Sequence, residues 1–194
     1  MDKTQLRKKI SAQRLQLSAH DQMHAAENIA YKTLRISRVR RAQNIAFYLP
    51  VHGEADPRII LHEALAKNKT CYLPVLHPRK VNQLWFVRYQ RGDVLIENRY
   101  GILEPKMNAK NRLPAHKLDV IIMPLVAFDP HCHRLGTGGG FYDRTLHFLN
   151  TRRSYHKPYL IGIAHDFQCV PCVEKQHHDV VPHTIVTEKN HYHR

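Results

Sequence analysis

Apolar positions in the first thirty-six residues recur at three- and four-residue intervals. Leu6, Ile10, Gln13 and Leu17 step along one face, with Lys and Arg on the others, which predicts an amphipathic helix. Ser18 followed by Asp21 resembles a capping box with Asp in place of Glu, and it opens a second helix through Leu34. Residues 2–36 therefore read as a basic helix pair. Beyond them the pattern shortens. Asn44 to Leu49 (NIAFYL) is an apolar run of strand type, and Asp56-Pro57 reads as an N-cap carboxylate before a proline at the first helical position. Ile60, Leu61, Ala64 and Leu65 give that helix its apolar face. TCYLPVL and QLWFVRY predict two more strands. LDVIIMPLVAF, Leu118 to Phe128, shows no alternation, as expected of a strand buried on both faces in a parallel sheet. PYLIGIA and HTIVT complete the strands, and the closing EKNHYHR reads as a frayed tail. Strands alternating with helices predict an α/β fold: a mostly parallel sheet with helices on both faces, a Rossmann-like three-layer arrangement forming a single domain over 1–194.

Composition narrows the class of protein more than its chemistry. At 43% hydrophobic and 24% charged, the chain suits an ordinary globular domain. No apolar run approaches the ~20 residues of a membrane span, and the N-terminus lacks the apolar core of a signal peptide, so a cytoplasmic protein without a membrane partner is expected. Cys71, Cys132, Cys169 and Cys172 do not suggest a disulfide framework in a chain of this size. Thirty Lys and Arg against sixteen Asp and Glu give a net charge of +14. That excess attracts polyanions, whether nucleic acid, nucleotides or polycarboxylates, without choosing among them. No nucleic-acid-binding motif accompanies the charge, so no specific nucleic acid is expected. Nothing demands more than a monomer.

Four of the eight glycines fall between Gly136 and Gly140, inside RLGTGGGFYDR. The predicted order is buried strand, glycine-rich loop, then a helix beginning near Phe141 and continuing through TLHFL. Ligands in open α/β sheets bind at the carboxyl ends of strands beside such loops. Glycine admits positive φ and close approach to backbone amides, and a helix N-terminus offers N–H groups to an anion. Asp143, in the first helical turn, is placed to hold Mg²⁺ against phosphate oxygens. Neither standard nucleotide fingerprint matches, because no Lys follows the glycines and position 141 is Phe rather than Gly. On spacing alone, an anion site and a structural turn both remain open.

The longer stretch PLVAFDPHCHRLGTGGGFYDR resembles the signature of the 5-formyltetrahydrofolate cyclo-ligase family, also called 5,10-methenyltetrahydrofolate synthetases. The resemblance rests on the order of Phe128, Asp129, Arg134, Leu135, Gly136, Gly138, Gly140, Tyr142 and Asp143. It extends at lower strength to the basic helix pair, to LPVHGEAD carrying Glu54, to YGILEP from Tyr100 to Pro105, and to HHD at 177–179. Two departures stand out: Cys132 occupies a position where the family commonly has Gly, and Gly139 one where some members carry Lys.

The resemblance implies an ATP- and Mg²⁺-dependent closure of 5-formyltetrahydrofolate, including polyglutamylated forms, to 5,10-methenyltetrahydrofolate, with release of ADP and phosphate. The formyl oxygen attacks the γ-phosphate, N10 attacks the activated carbon, and phosphate departs, a reaction governed by positioning and charge neutralisation. It further implies that Lys3, Arg7, Arg134, Leu135, Gly136, Thr137, Gly138, Gly139, Gly140, Phe141 and Tyr142 meet ATP. Folate would contact Leu49, Glu54, Tyr100, Thr137, Gly138, Gly139, Gly140 and Phe141, and Asp143 with Asp179 would hold the metal. Arg134, Tyr142 and Asp143 would stand at the reaction centre. Without the resemblance, Lys3 and Arg7 read as a solvated basic face, and the Cys169/Cys172 pair with His177 and His178 reads weakly as a zinc site. A basic nucleic-acid-binding protein, or a different phosphate-handling enzyme on the same scaffold, is the competing reading.

Overall fold

The computed structural model describes residues 2–107, 111–151 and 157–194. Helix α1 (Lys3–Leu15) is opened by the Asp2 carboxylate, which accepts from the Thr4 amide. Its inward face differs from the expected one by a residue: Gln13 is exposed, and Arg14 takes the buried position one turn beyond Ile10. Ile10 packs with Val126, Ala127, Leu135 and Val173. Helix α2 (Ala19–Arg35) begins at Ser18, whose hydroxyl accepts from the Asp21 amide as the capping pattern predicts. A short α3 (Ser37–Arg41) leads into strand β1 (Asn44–Ala46). Helix α4 starts at Arg58, one residue later than expected (Arg58–Ala66); Asp56 still caps it by accepting from the Arg58 amide at 2.8 Å.

Strands β2 (Thr70–Leu76) and β3 (Leu84–Tyr89) form an antiparallel hairpin. A small ribbon of β4 (Leu95–Glu97) and β5 (Leu103–Pro105) follows, then β6 (Arg112–Leu113) beside β3. Strand β7 covers only Val120–Met123. The run LDVIIMPLVAF is thus not one strand: Pro124 carries no N–H for a ladder, and the chain turns out of the sheet into a hairpin of β8 (Ala127–Phe128) and β9 (Arg134–Leu135). After the glycine loop come α5 (Phe141–Leu146), α6 (Phe148–Thr151), β10 (Tyr159–Ile163) and β11 (Thr184–Val186). The expected frayed tail is instead an antiparallel edge strand, β12 (His191–His193), laid along β11.

The main sheet runs β12-β11-β10-β7-β1-β2-β3-β6, parallel from β11 to β2 and antiparallel at both ends. Alternation along β7 divides two cores. Val120 and Ile122 face α2 and α4, whereas Ile121 and Met123 face Leu146, Phe148 and Leu149 of α5 and α6. Helices on both faces of a mostly parallel sheet satisfy the predicted α/β class. Strand β1 pairs with β2 on one side and β7 on the other, so the chain's order reverses there, and a crevice opens beyond the carboxyl ends of β1 and β7. Among the described residues, no helix is long and apolar enough to cross a membrane.

Candidate active site

The β8–β9 hairpin re-aims the chain so that the glycine loop lies over that crevice. Asp129 braces the hairpin's turn. Its side chain is 1% exposed and accepts from the amides of His131, His133 and Val173 and from the His133 imidazole. Cys132 takes φ 64° in this turn, a left-handed conformation that explains why glycine suits the position. Gly140 (φ 65°) then turns the backbone into α5. That helix has only six residues, so its dipole adds less than the sequence suggests.

Arg134 and Asp143, nine residues apart, meet across the loop. Arg134 Nη2 donates to Asp143 Oδ1 at 2.6 Å, and the Val180 amide donates to the same oxygen at 3.1 Å. Arg134 is 9% exposed, and its Nε is buried without a hydrogen-bond partner. A buried, unanswered guanidinium N–H is costly to leave unpaired and suits an anionic ligand.

Two clefts join at this pair. The first, about 650 Å³, is polar and lies between the loop, the start of α1 and the segment before Val180. Arg7 Nε donates to the Gly136 carbonyl at 2.9 Å, and its guanidinium carbon lies 3.6 Å from where a Cβ on Gly138 would stand. Lys3 Nζ is 3.2 Å from Glu174. Asp179 lines the same cleft, its Oδ2 accepting from the Gln176 amide. The second cleft, about 490 Å³, is more apolar and is walled by Leu49, Leu73, Ile102, Leu103, Phe141 and Tyr142. Tyr100 stands at its rim, edge-on to Phe141 with ring centroids 5.8 Å apart. Arg134, Gly136, Gly140 and Asp143 line both clefts.

Glu54 supplies the second cleft's buried carboxylate, at 8% side-chain exposure. Burial pushes its pKa up, while the Val51 amide, Arg14 and His52 oppose that rise. Burial, with Glu54 nearby, also pushes the Tyr142 phenol far up, which leaves it a neutral hydroxyl and unsuited to act as a base. Tyr48 behaves likewise and donates to the Ala55 carbonyl, steadying the turn that carries Glu54.

Among the described residues, no group of three or more His, Cys, Asp or Glu is arranged to hold a metal by itself, and the weak zinc reading of Cys169, Cys172, His177 and His178 finds no support. Asp143 and Asp179 nevertheless share the polar cleft with the loop amides. Two carboxylates there fit a hard cation completed by phosphate oxygens and water, rather than a resident protein-only metal centre.

Every residue that the resemblance implies for ATP, folate or metal lines one of the two clefts. Lys3, Arg7, Leu135, Gly138 and Asp179 border the first, Leu49, Glu54, Tyr100, Thr137, Gly139, Phe141 and Tyr142 the second, and the shared four border both. Sequence reasoning missed Asn82 and Arg144, which both donate to the Gly139 carbonyl, at 2.9 and 2.6 Å. Only the fold brings Asn82 there from the β2–β3 turn. It also missed Arg14, although the seven-residue interval from Arg7 places both on one helical face.

The sequence pattern of the 5-formyltetrahydrofolate cyclo-ligase family matches residues 1–188. A 5-formyltetrahydrofolate cyclo-ligase of Haemophilus influenzae is 39% identical over 176 residues, 91% of this chain and 92% of that protein. One of Escherichia coli is 36% identical over 178 residues, 92% of this chain and 96% of its own length. In three dimensions the chain is similar to the NMR structure of Aquifex aeolicus 5,10-methenyltetrahydrofolate synthetase, with a TM-score of 0.83, 30% identity and coverage of 100% of this chain and 93% of that one. The corresponding Mycoplasma pneumoniae structure, at 24% identity and TM-score 0.73, shares the fold.

Proposed function

The chain belongs to the 5-formyltetrahydrofolate cyclo-ligase family, and we propose from that premise that its polar cleft takes MgATP and its apolar cleft 5-formyltetrahydrofolate. It is a ligase that converts 5-formyltetrahydrofolate to the 5,10-methenyl form at the expense of ATP. The observation that carries the assignment of clefts is their confluence at Arg134, Gly136, Gly140 and Asp143. A phosphoryl transfer needs donor and acceptor aligned across one point, and these four residues border both spaces.

In this reading Lys3, Arg7 and Arg134 neutralise the triphosphate, and the unpartnered Arg134 Nε reaches a phosphate oxygen. Asp143 and Asp179 hold Mg²⁺, which when bound neutralises charge on the phosphates. Phe141 and Tyr100 flank the pterin or its aryl ring, and Glu54 faces the donor-rich pterin edge. The formyl oxygen attacks the γ-phosphorus and ADP leaves. N10 then attacks the formyl carbon, loses its proton, and phosphate carries away the former formyl oxygen. The protein supplies alignment and positive charge rather than a nucleophile. The enzyme is read as a cytoplasmic monomer that accepts polyglutamylated as well as monoglutamyl substrate.

Purified protein with MgATP and 5-formyltetrahydrofolate develops the near-ultraviolet absorbance of the methenyl product, and omission of either substrate abolishes it. Absence of turnover with both present, under conditions where each binds, would overturn the assignment.

A further inference from the structure

Arg14 is an unusual residue to find inside α1. Its side chain is 4% exposed, and both Nε and Nη1 are buried without a hydrogen-bond partner. Among the described residues its ionic neighbour is Glu54, with Nη1 3.8 Å from Oε1. An arginine withdrawn from water in this way is sustained by a facing carboxylate and costs stability if that charge is lost. The backbone contact is equally close. Gly53 sits at φ 71°, and a Cβ there would lie 2.7 Å from the Arg14 carbonyl oxygen, so the turn carrying Glu54 rests directly on α1. From the opposite side, His165 Nε2 meets the Gly53 carbonyl at 3.1 Å.

Lys3, Arg7 and Arg14 fall at i, i+4 and i+11, within one face of a helix. That face spans about 16 Å. One end reaches the polar cleft, and the other backs the carboxylate of the apolar cleft.

We propose that Arg14 is a positioning residue for the folate side of the reaction, holding Glu54 ionised and aimed into the apolar cleft. The proposal rests on the reading that Glu54 meets the folate. The groups facing Glu54 are Arg14 from α1, His52 and the Val51 amide from its own turn, Tyr48 from the segment just after β1, and Tyr142 from α5. Arg14 is the permanent cation of this set. Burial raises the carboxyl's pKa and Arg14 opposes the rise; without the guanidinium, Glu54 holds its proton to higher pH and loses its charge toward the substrate.

The test compares Arg14→Met, Arg14→Gln, Arg14→Lys, Glu54→Gln and the double variant Arg14→Met/Glu54→Gln, with kcat and both KM values measured across pH. Glu54→Gln is expected to raise the folate KM roughly tenfold or more, the scale of one lost charged hydrogen bond. Arg14→Met raises the folate KM comparably, leaves the ATP KM within about twofold, and moves the acid limb of kcat/KM to higher pH. Arg14→Lys restores the limb, and the double variant is no worse than Glu54→Gln. Arg14→Gln, close in shape but uncharged, supplies the same comparison if the Met variant does not fold. An unmoved acid limb in a folded neutral variant overturns the proposal, as does a double variant whose losses multiply. An unchanged folate KM in Glu54→Gln instead overturns the reading of Glu54 itself.

Discussion

Arg134 Nη2 lies 2.6 Å from Asp143 Oδ1 where the two clefts meet, while the buried Arg134 Nε has no partner. The pair is therefore half satisfied. One nitrogen of the guanidinium is fixed by the protein, and Nε is left for an anion. Fixing the side chain before substrate arrives reduces the reorganisation required when charge develops on the transferred phosphoryl group.

Arg134→Lys replaces a planar fork with a point charge that cannot reach Asp143 and a phosphate together. A fall in kcat of roughly 10²–10³, the range for losing one preorganised donor, is expected in single-turnover absorbance assays. Asp143→Asn keeps an oxygen for the Arg134 and Val180 donors but loses its charge. Its turnover should fall by a similar factor while folding is retained, and saturation should demand more Mg²⁺.

Gly139 is determined by its neighbour. A Cβ there would stand 2.7 Å from Phe141 Cε2 and 2.8 Å from Cδ2. Phe141 is half-buried and can swing away, so Gly139→Ala should fold with little change in Tm. The displaced ring should raise the folate KM several-fold, one misplaced aromatic contact being worth about 0.5–1.5 kcal/mol, with the ATP KM less affected. An unaltered folate KM would remove Phe141 from the substrate contacts.

Asp129 predicts an acid-sensitive hairpin. Burial works against its charge, but the amides of Val173 and His133 and the His133 ring prevail and hold its pKa below the ordinary 3.8. The folded form binds the proton less readily than the unfolded chain. Its stabilisation is therefore present above pH ~4 and is lost as pH falls through the lower folded value. Asp129→Asn should cost about 1–3 kcal/mol near neutrality, and the gap from wild type in urea unfolding should narrow below pH ~4.

His183 acts at milder acidity. Burial, with Arg194 and Arg38 nearby, holds its pKa down to about 4 from an ordinary 6.5. The ring stacks on Tyr159, and its Nδ1 accepts from the Leu160 amide. Between these two values the unfolded chain binds the proton that the folded chain refuses, so stability falls as pH drops from 6.5 to 4. Thermal melts should show that decline in wild type and a shallower one in His183→Asn.

Much of the architecture was legible because it depends on short-range pattern. The α1–α2 pair, the Ser18 cap and the apolar β7 core follow from periodicity and local hydrogen bonding. Errors came where one local signal hid another. LDVIIMPLVAF is uniformly apolar, yet Pro124 ends the ladder, and Leu125, Val126 and Phe128 are buried by satellite clusters around the hairpin rather than by the sheet. EKNHYHR looks polar enough to fray, but Thr184 and Val186 offer an open edge that His191 and His193 can pair with.

RLGTGGGFYDR, with its flanking PLVAFD, carried the family and residues beside the polar cleft, because a tight loop requires its glycines and its acid at set intervals along the chain. The sequence by itself thus determined the α/β class, the glycine loop and the family. Only the tertiary structure decided that α1 backs Glu54 through Arg14, that Asn82 steadies the Gly139 carbonyl, and that the two clefts meet at Arg134 and Asp143. Those relationships join residues 40 to more than 50 positions apart, or follow from how a hairpin re-aims a loop. Such contacts are set by how layers pack, and no interval along the chain encodes them.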